Sequence, residues 1–247
     1  MFAIAGRELR SLFFSPLAWI LIGVMQFILA WLFLIQLEEF LKIQPQLATL
    51  ESVPGVTDLV VAPLLESAAV ILMLLTPLLS MRLMSEEYRS GTIDLLLSAP
   101  ISMLRILLGK YLALLAIYGA ILLLIALMPL SLLLGGSLDM GRLAAGLLGL
   151  GLLLATFAAI GLLLSCHTDQ PTVAAVGSYG LLLFLWLINL AGGGEGSELF
   201  AWLSLAGHYQ RMLSGLIHSS DIIYYLLLIT ASLSLANHRL ESRRTLG

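Results

Sequence analysis

The 247-residue chain is 60% hydrophobic and only 11% charged, with a mean hydropathy of +1.04; a soluble domain has roughly 45–50% apolar and about 25% charged residues. A net charge of −3, with neither a basic surface nor an acidic tail, points away from nucleic acid and from a disordered interactor. The single cysteine, Cys166, excludes an internal disulfide and lacks the repeated spacing of a zinc or iron–sulfur site.

Residues 1–15 carry a helical pattern in which Phe2, Ala5, Leu9, Leu12 and Phe13 share one face, while Arg7, Glu8, Ser11 and Ser15 lie on the other. Ile4 and Phe14 depart from it. The pattern predicts an amphipathic helix in the membrane interface, with the chain turning into the bilayer at Ser15-Pro16. The uncharged stretch 11–37 is longer than the roughly 7–15 apolar residues of a signal peptide and is expected to remain as an anchor.

A spanning helix needs roughly 20 mainly apolar residues. Cutting residues 16–247 at charges and turn residues gives six spans, 17–37, 61–81, 107–134, 143–165, 171–191 and 220–237, and an all-α integral membrane bundle. The second and sixth have uncharged cores of only 15 residues, so each extends past a carboxylate, Glu66 or Asp221. The third has a kink candidate in Pro129. The fourth spaces Gly151, Ala155 and Ala159 four residues apart, a face that lets helices approach closely. The fifth starts with Pro171, suited to a first helical turn, and ends at Gly192-Gly193-Gly194. Residues 199–206 are too few to span and predict a re-entrant or interfacial outer segment before the last span.

Lysine and arginine mark the cytoplasmic side. Arg7, Arg10, Arg82, Arg89, Arg105, Lys110, Arg239, Arg243 and Arg244 fall on one side of a six-span chain, leaving Lys42, Arg142 and Arg211 on the other. Both termini are therefore expected in the cytoplasm, and the chain in a bacterial inner membrane.

Residues 82–102 form the most informative polar stretch. The second span can continue as helix past Glu86 and Glu87 to Gly91, which suits a left-handed cap; Thr92 can then cap a short helix with Asp94 in its first turn. Pro100 stops that helix and Ser102 can cap the third span. By itself this is a polar connector or a docking element.

Glu86-Glu87, Arg89, Gly91-Thr92, Leu95-Leu96 and Pro100-Ile101-Ser102 after the second span resemble the coupling loop of type 2 ATP-binding-cassette (ABC) permeases. Within that superfamily, Pro77-Leu78-Leu79-Ser80-Met81-Arg82 and Glu86-Glu87-Tyr88-Arg89-Ser90-Gly91-Thr92 most resemble the gliding-motility type of subunit. The resemblance implies pairs of six-span units docked on two cytoplasmic ATPase subunits, with spans two and five facing a central path. It implies partners: the ATPase, a second copy or a related permease, and an accessory subunit on the far side of the membrane. Glu86, Glu87, Arg89, Gly91, Thr92 and Asp94 are the expected ATPase-coupling residues.

The chain has no phosphate-cradling loop: Gly109-Lys110 is followed by Tyr111, and Leu104 stands where the first glycine is needed. ATP and magnesium are thus expected on the partner ATPase, with no cofactor, metal or catalytic residue in this chain. Glu66, an ionisable residue at the outer end of a span, reads equally as an interfacial structural group and as a contact for substrate or partner. His167, His208, His218 and His238 lack the i, i+4 spacing of a helical zinc site, and solvated or interfacial roles are expected for them. No Gly-x-Ser-x-Gly elbow marks a hydrolase. The readings from other classes are a secondary carrier, which would show ionisable residues near midplane in broken helices, and a scaffold in a larger membrane complex.

Overall fold

The computed structural model describes residues 2–47, 55–91, 102–134, 138–188, 200 and 202–246. They form an all-helical bundle: α1 (Phe2–Phe14), α2 (Pro16–Leu47), a π-helical turn (Thr57–Val61), α3 (Ala62–Ser80), α4 (Arg82–Ser90), α5 (Met103–Ser131), α6 (Met140–His167), α7 (Pro171–Leu187), α8 (Leu205–Leu213) and α9 (Ser219–Leu246). Five helical stretches are long and apolar enough to cross a membrane, and the shorter apolar α7 makes a sixth candidate.

The centre of the bundle is α6, which touches α3, α4, α5, α7, α8 and α9. Of its apolar stretch 61% is buried, against 22% for α2, which lies at the edge. Glycine explains the difference. A Cβ on Gly146 would stand 2.8 Å from Leu65 Cδ1, one on Gly149 3.0 Å from Met212 Cβ, and one on Gly161 2.8 Å from Ser80 Cβ, so α3 and α8 lie directly on the α6 backbone. These are not the residues the four-residue spacing singled out. A Cβ on Gly151 would meet only Leu122 Cδ1 at 3.7 Å, and Ala155 is half-buried.

Other elements run past their expected limits. The first span continues through Glu38, Glu39 and Lys42 to Leu47, helped by a Glu38–Lys42 ion pair at i, i+4. The last helix continues to Leu246 instead of stopping near residue 237. Pro129 sits in the last turn of α5, which gives way to a 3₁₀ turn at Leu132–Leu134. The end of the expected fifth span, residues 189–191, and the glycine run 192–194 lie outside the described residues.

The largest departure is before the last span. The expected outer segment ends at residue 206, yet α8 begins at Leu205, with Ser204 accepting the Gly207 N–H at 3.0 Å. His208-Tyr209-Gln210-Arg211 lies inside this helix rather than bounding it. Leu205, Tyr209, Met212 and Leu213 recur at helical spacing and are buried, and they carry His208 in with them. His208 is 1% exposed, so of the solvated or interfacial roles expected for it the solvated one does not hold.

Candidate functional site

α4 follows α3 directly and delivers the chain to residues 92–101. At the junction, Met81 keeps helical dihedrals (φ −57°, ψ −31°). The Ser165 hydroxyl of α6 nevertheless enters the backbone ladder: it donates to Met81 O at 3.0 Å and accepts from the Met84 and Ser85 N–H groups at 3.1 and 3.2 Å. Insertion of a side chain into the i→i−4 ladder is a recognised cause of a helix break. Beneath it, the bare backbone of Gly161 lets Ser80 approach. α3 and α4 are therefore stitched to the central helix at their junction.

Two turns into α5, Lys110 is buried at 1% exposure. Its ammonium group lies 2.7 Å from Glu87 Oε1 of α4 and 3.1 Å from Glu8 Oε1 of α1. Arg7 closes the group, 3.0 Å from Glu8 and 3.7 Å from Glu87. Two cations and two carboxylates balance, and three elements distant in sequence share one ionic knot. A buried ammonium left alone would be severely destabilising; paired and hydrogen-bonded, it fixes which surfaces meet. Glu8 consequently turns inward beside the half-buried Ile4, Ala5 and Leu9, although the amphipathic pattern groups it with Arg7 on the polar face.

At the same end Tyr88 of α4 lies under the Arg243 guanidinium, 4.4 Å from ring centroid to Cζ, and Arg243 reaches Asp169 between α6 and α7 at 3.0 Å. The first helix, α4, the α6–α7 turn and the end of α9 thus gather at one end of the bundle, here called the basic end. An open groove of about 930 Å³ lies between α4 and the start of α7, lined by Arg82, Arg89, Gln170 and Thr172 among others.

The expected coupling residues divide. Glu87 is in the knot, Arg89 is exposed on the groove, and Glu86 is in the α4 backbone. Gly91 ends α4 with φ +71°, and its N–H reaches Tyr88 O at 3.3 Å, the left-handed cap expected of it. Thr92, Asp94, Leu95-Leu96 and Pro100-Ile101 lie outside the described residues. Ser102 occupies the N-cap of α5 with its carbonyl accepting from Arg105, but its hydroxyl makes no cap bond. Glu66 is an exposed residue near the other end of α3, 3.4 Å from Gln210 Nε2 of α8. It lies about 30 Å from Glu87 along the helix at 1.5 Å per residue.

Lys110 and Ser165 are the residues that sequence reading leaves out. Lys110 counts there only as one more positive charge, yet it stands inside a helix begun at Met103 and followed by uncharged residues. An ionisable group so placed needs a named partner, and that was the available signal. Ser165 has no such signal, because its partners are backbone atoms of a segment 80 residues away.

Nearly the whole chain, residues 2–237, matches the family described as ABC-2 family transporter protein. No curated protein matches it.

Proposed function

This integral multi-pass membrane protein belongs to the ABC-2 family of transporter proteins, and on that premise we propose that it is the permease half of an ATP-driven exporter whose ATP, with magnesium, is hydrolysed on separate cytoplasmic ATPase subunits. The observation that carries the reading is the Lys110 knot: Glu87 on α4, Glu8 on α1 and Lys110 on α5 bind the helix leading into residues 92–101 to the membrane-spanning body. A push received there is passed on rather than absorbed. ATP-driven closure of the ATPase pair then shifts the bundle between two arrangements of α3 and α5.

In this reading the basic end faces the cytoplasm of a bacterium and the membrane is the inner one, as the positions of Arg7, Arg82, Arg89, Arg105 and Arg243 support. Arg89, Glu86, Gly91, Thr92 and Asp94 meet the ATPase, while Glu87 acts from behind through Lys110. A second copy or a related permease completes the path, an accessory subunit works on the far side, and Glu66 lines the path or contacts that partner. The residues 77–82 and 86–92 support the gliding-motility type.

The test is co-purification of the chain with its cytoplasmic ATPase, followed by reconstitution in vesicles. Stimulated ATP turnover in wild type, reduced in Arg89→Glu with the complex still assembled, is the expected result. Transport by the isolated chain under an ion gradient, without ATPase, would instead establish a secondary carrier.

A further inference from the structure

At the basic end of the bundle α9 packs along α6, and an open groove of about 370 Å³ lies in the seam between them. Leu163, Leu164 and His167 of α6 face Leu235, His238 and Arg239 of α9 across it. Helical spacing gives the two walls the same order. On α6, Leu163 and Leu164 come four and three residues before His167; on α9, Leu235 comes three before His238 and four before Arg239. Residues three and four apart share a helix face, so each wall passes from leucine to a basic or imidazole side chain within about 6 Å of helix. His167 is the last residue of α6, and the apolar stretch of α9 that can span a membrane ends at Arg243. The groove therefore sits where hydrocarbon gives way to headgroups.

Arg239 has no anion to answer it. It makes no ion pair among the described residues, and its Nε is buried without a hydrogen-bond partner there. One turn on, Arg243 is by contrast committed to Asp169 at 3.0 Å and to the ring of Tyr88. No described residue lining the groove is acidic, and the next carboxylate along α9, Glu241, accepts from Asn237 Nδ2 at 2.9 Å. His167 holds the α6 wall in place, its Nδ1–H donating to Leu163 O at 2.9 Å. A guanidinium donor shut off from water and left unpaired is costly, and an anion is the partner that removes the cost. Below it the leucines are open: Leu235 is 57% exposed, and Leu163 and Leu164 are half-buried.

We propose that this groove binds an anionic phospholipid of the leaflet at the basic end. The phosphate accepts from the Arg239 guanidinium, and an acyl chain lies over Leu163, Leu164 and Leu235. The planar fork of arginine matches phosphate oxygens two at a time, and a basic pocket between membrane helices favours an anionic headgroup over a zwitterionic one. A free phosphate would satisfy the arginine and leave the leucines unused, whereas a phospholipid covers both. The groove needs neither the ATPase nor residues 92–101 for this.

The experiment titrates the purified full chain in neutral detergent with phosphatidylglycerol or phosphatidylcholine and counts bound lipid by native mass spectrometry. Wild type should bind phosphatidylglycerol the more tightly. Arg239→Gln should weaken that binding about fivefold, the size of one arginine near an anionic surface, and leave phosphatidylcholine unchanged. Arg105→Gln, which removes an exposed charge on α5 at the same end, should match wild type. Glycerol 3-phosphate, a headgroup phosphate without acyl chains, should not displace the lipid. Equal affinities for the two lipids, an unchanged Arg239→Gln, an equal loss in Arg105→Gln, or displacement by glycerol 3-phosphate would each overturn the assignment. Thermal unfolding supplies a second readout. Without lipid, wild type and Arg239→Gln should share one midpoint, since Arg239 has no ion pair among the described residues to lose; added phosphatidylglycerol should raise the wild-type midpoint further. A variant already destabilised without lipid would make Arg239 a structural residue and overturn the proposal. So would a pair of chains that carries no lipid and separates in Arg239→Gln, because a second copy would then cover the groove.

Discussion

Both ends of the bundle are held by a buried ionic cluster, and the two clusters are built on opposite principles. At the basic end, two carboxylates and two cations of the described residues meet around Lys110. At the far end, one buried carboxylate, Asp221, takes an arginine and a histidine of α8. The first cluster is centred on a buried cation shared by three elements distant in sequence, the second on a buried anion shared by two neighbouring helices.

The largest expected effect comes from unbalancing the joint around Lys110. Lys110→Met leaves Glu8 and Glu87 close together and half-buried with only the exposed Arg7 beside them, a change of the kind that costs about 3–5 kcal/mol. Unfolding in mixed detergent micelles should show it, with loss of ATPase-coupled turnover. Removing the two carboxylate charges as well, with Glu8→Gln and Glu87→Gln added and only the exposed Arg7 still charged, should recover most of the stability, since charge balance rather than the ammonium itself holds the joint. A Lys110→Met single variant as stable as wild type would break the comparison at the basic end.

A smaller effect tests the seat of that joint on α6. Gly161→Ala places a Cβ 2.8 Å from Ser80 Cβ, and overpacking of this kind costs about 1–3 kcal/mol. Gly151→Ala meets only Leu122 at 3.7 Å and should gain up to about 1 kcal/mol from helix propensity. The same substitution on one helix thus has opposite expected signs, read by the same unfolding measurement. Equal shifts would mean that α3 does not rest on Gly161.

How far these features were legible in the sequence depends on the range over which each is determined. Long apolar runs fix the helical bundle locally, and the turn chemistry of Gly91 fixes a cap locally; both could be read. The segment 199–213 misled because a polar quartet, His208 to Arg211, hides an apolar stripe at Leu205, Tyr209, Met212 and Leu213. The small-residue spacing on α6 named the right helix, and Ala159 on that face is fully buried, but the tightest approaches fall at Gly146, Gly149 and Gly161, since which glycine receives a neighbour depends on where α3 and α8 cross it. The two ionic clusters were least legible. Glu8, Glu87 and Lys110 meet across up to 102 residues, and no local pattern states that pairing.

The smallest effect separates the two ends most cleanly, because the same backbone device closes the helix at each. Gly91 ends α4 with φ +71° and Gly215 follows α8 with φ +87°. At Gly215 the Schellman pattern is complete: its N–H reaches Met212 O at 3.0 Å, and the Leu216 N–H reaches Arg211 O at 3.3 Å. A Cβ at Gly91 would meet nothing within 4 Å, and one at Gly215 only Arg142 at ordinary contact distance. Alanine at either site therefore costs backbone strain alone, about 1 kcal/mol, and global unfolding should barely distinguish them. Their local consequences should differ. Gly91→Ala re-aims the chain entering residues 92–101 and should lower ATPase-coupled turnover while leaving exchange of α8 amides unchanged. Gly215→Ala loosens the carbonyl of Arg211, which pairs with Asp221, and should raise α8 exchange while the complex with the ATPase still assembles. If either substitution produces both changes, the two ends are mechanically one unit, and the comparison between separate clusters fails.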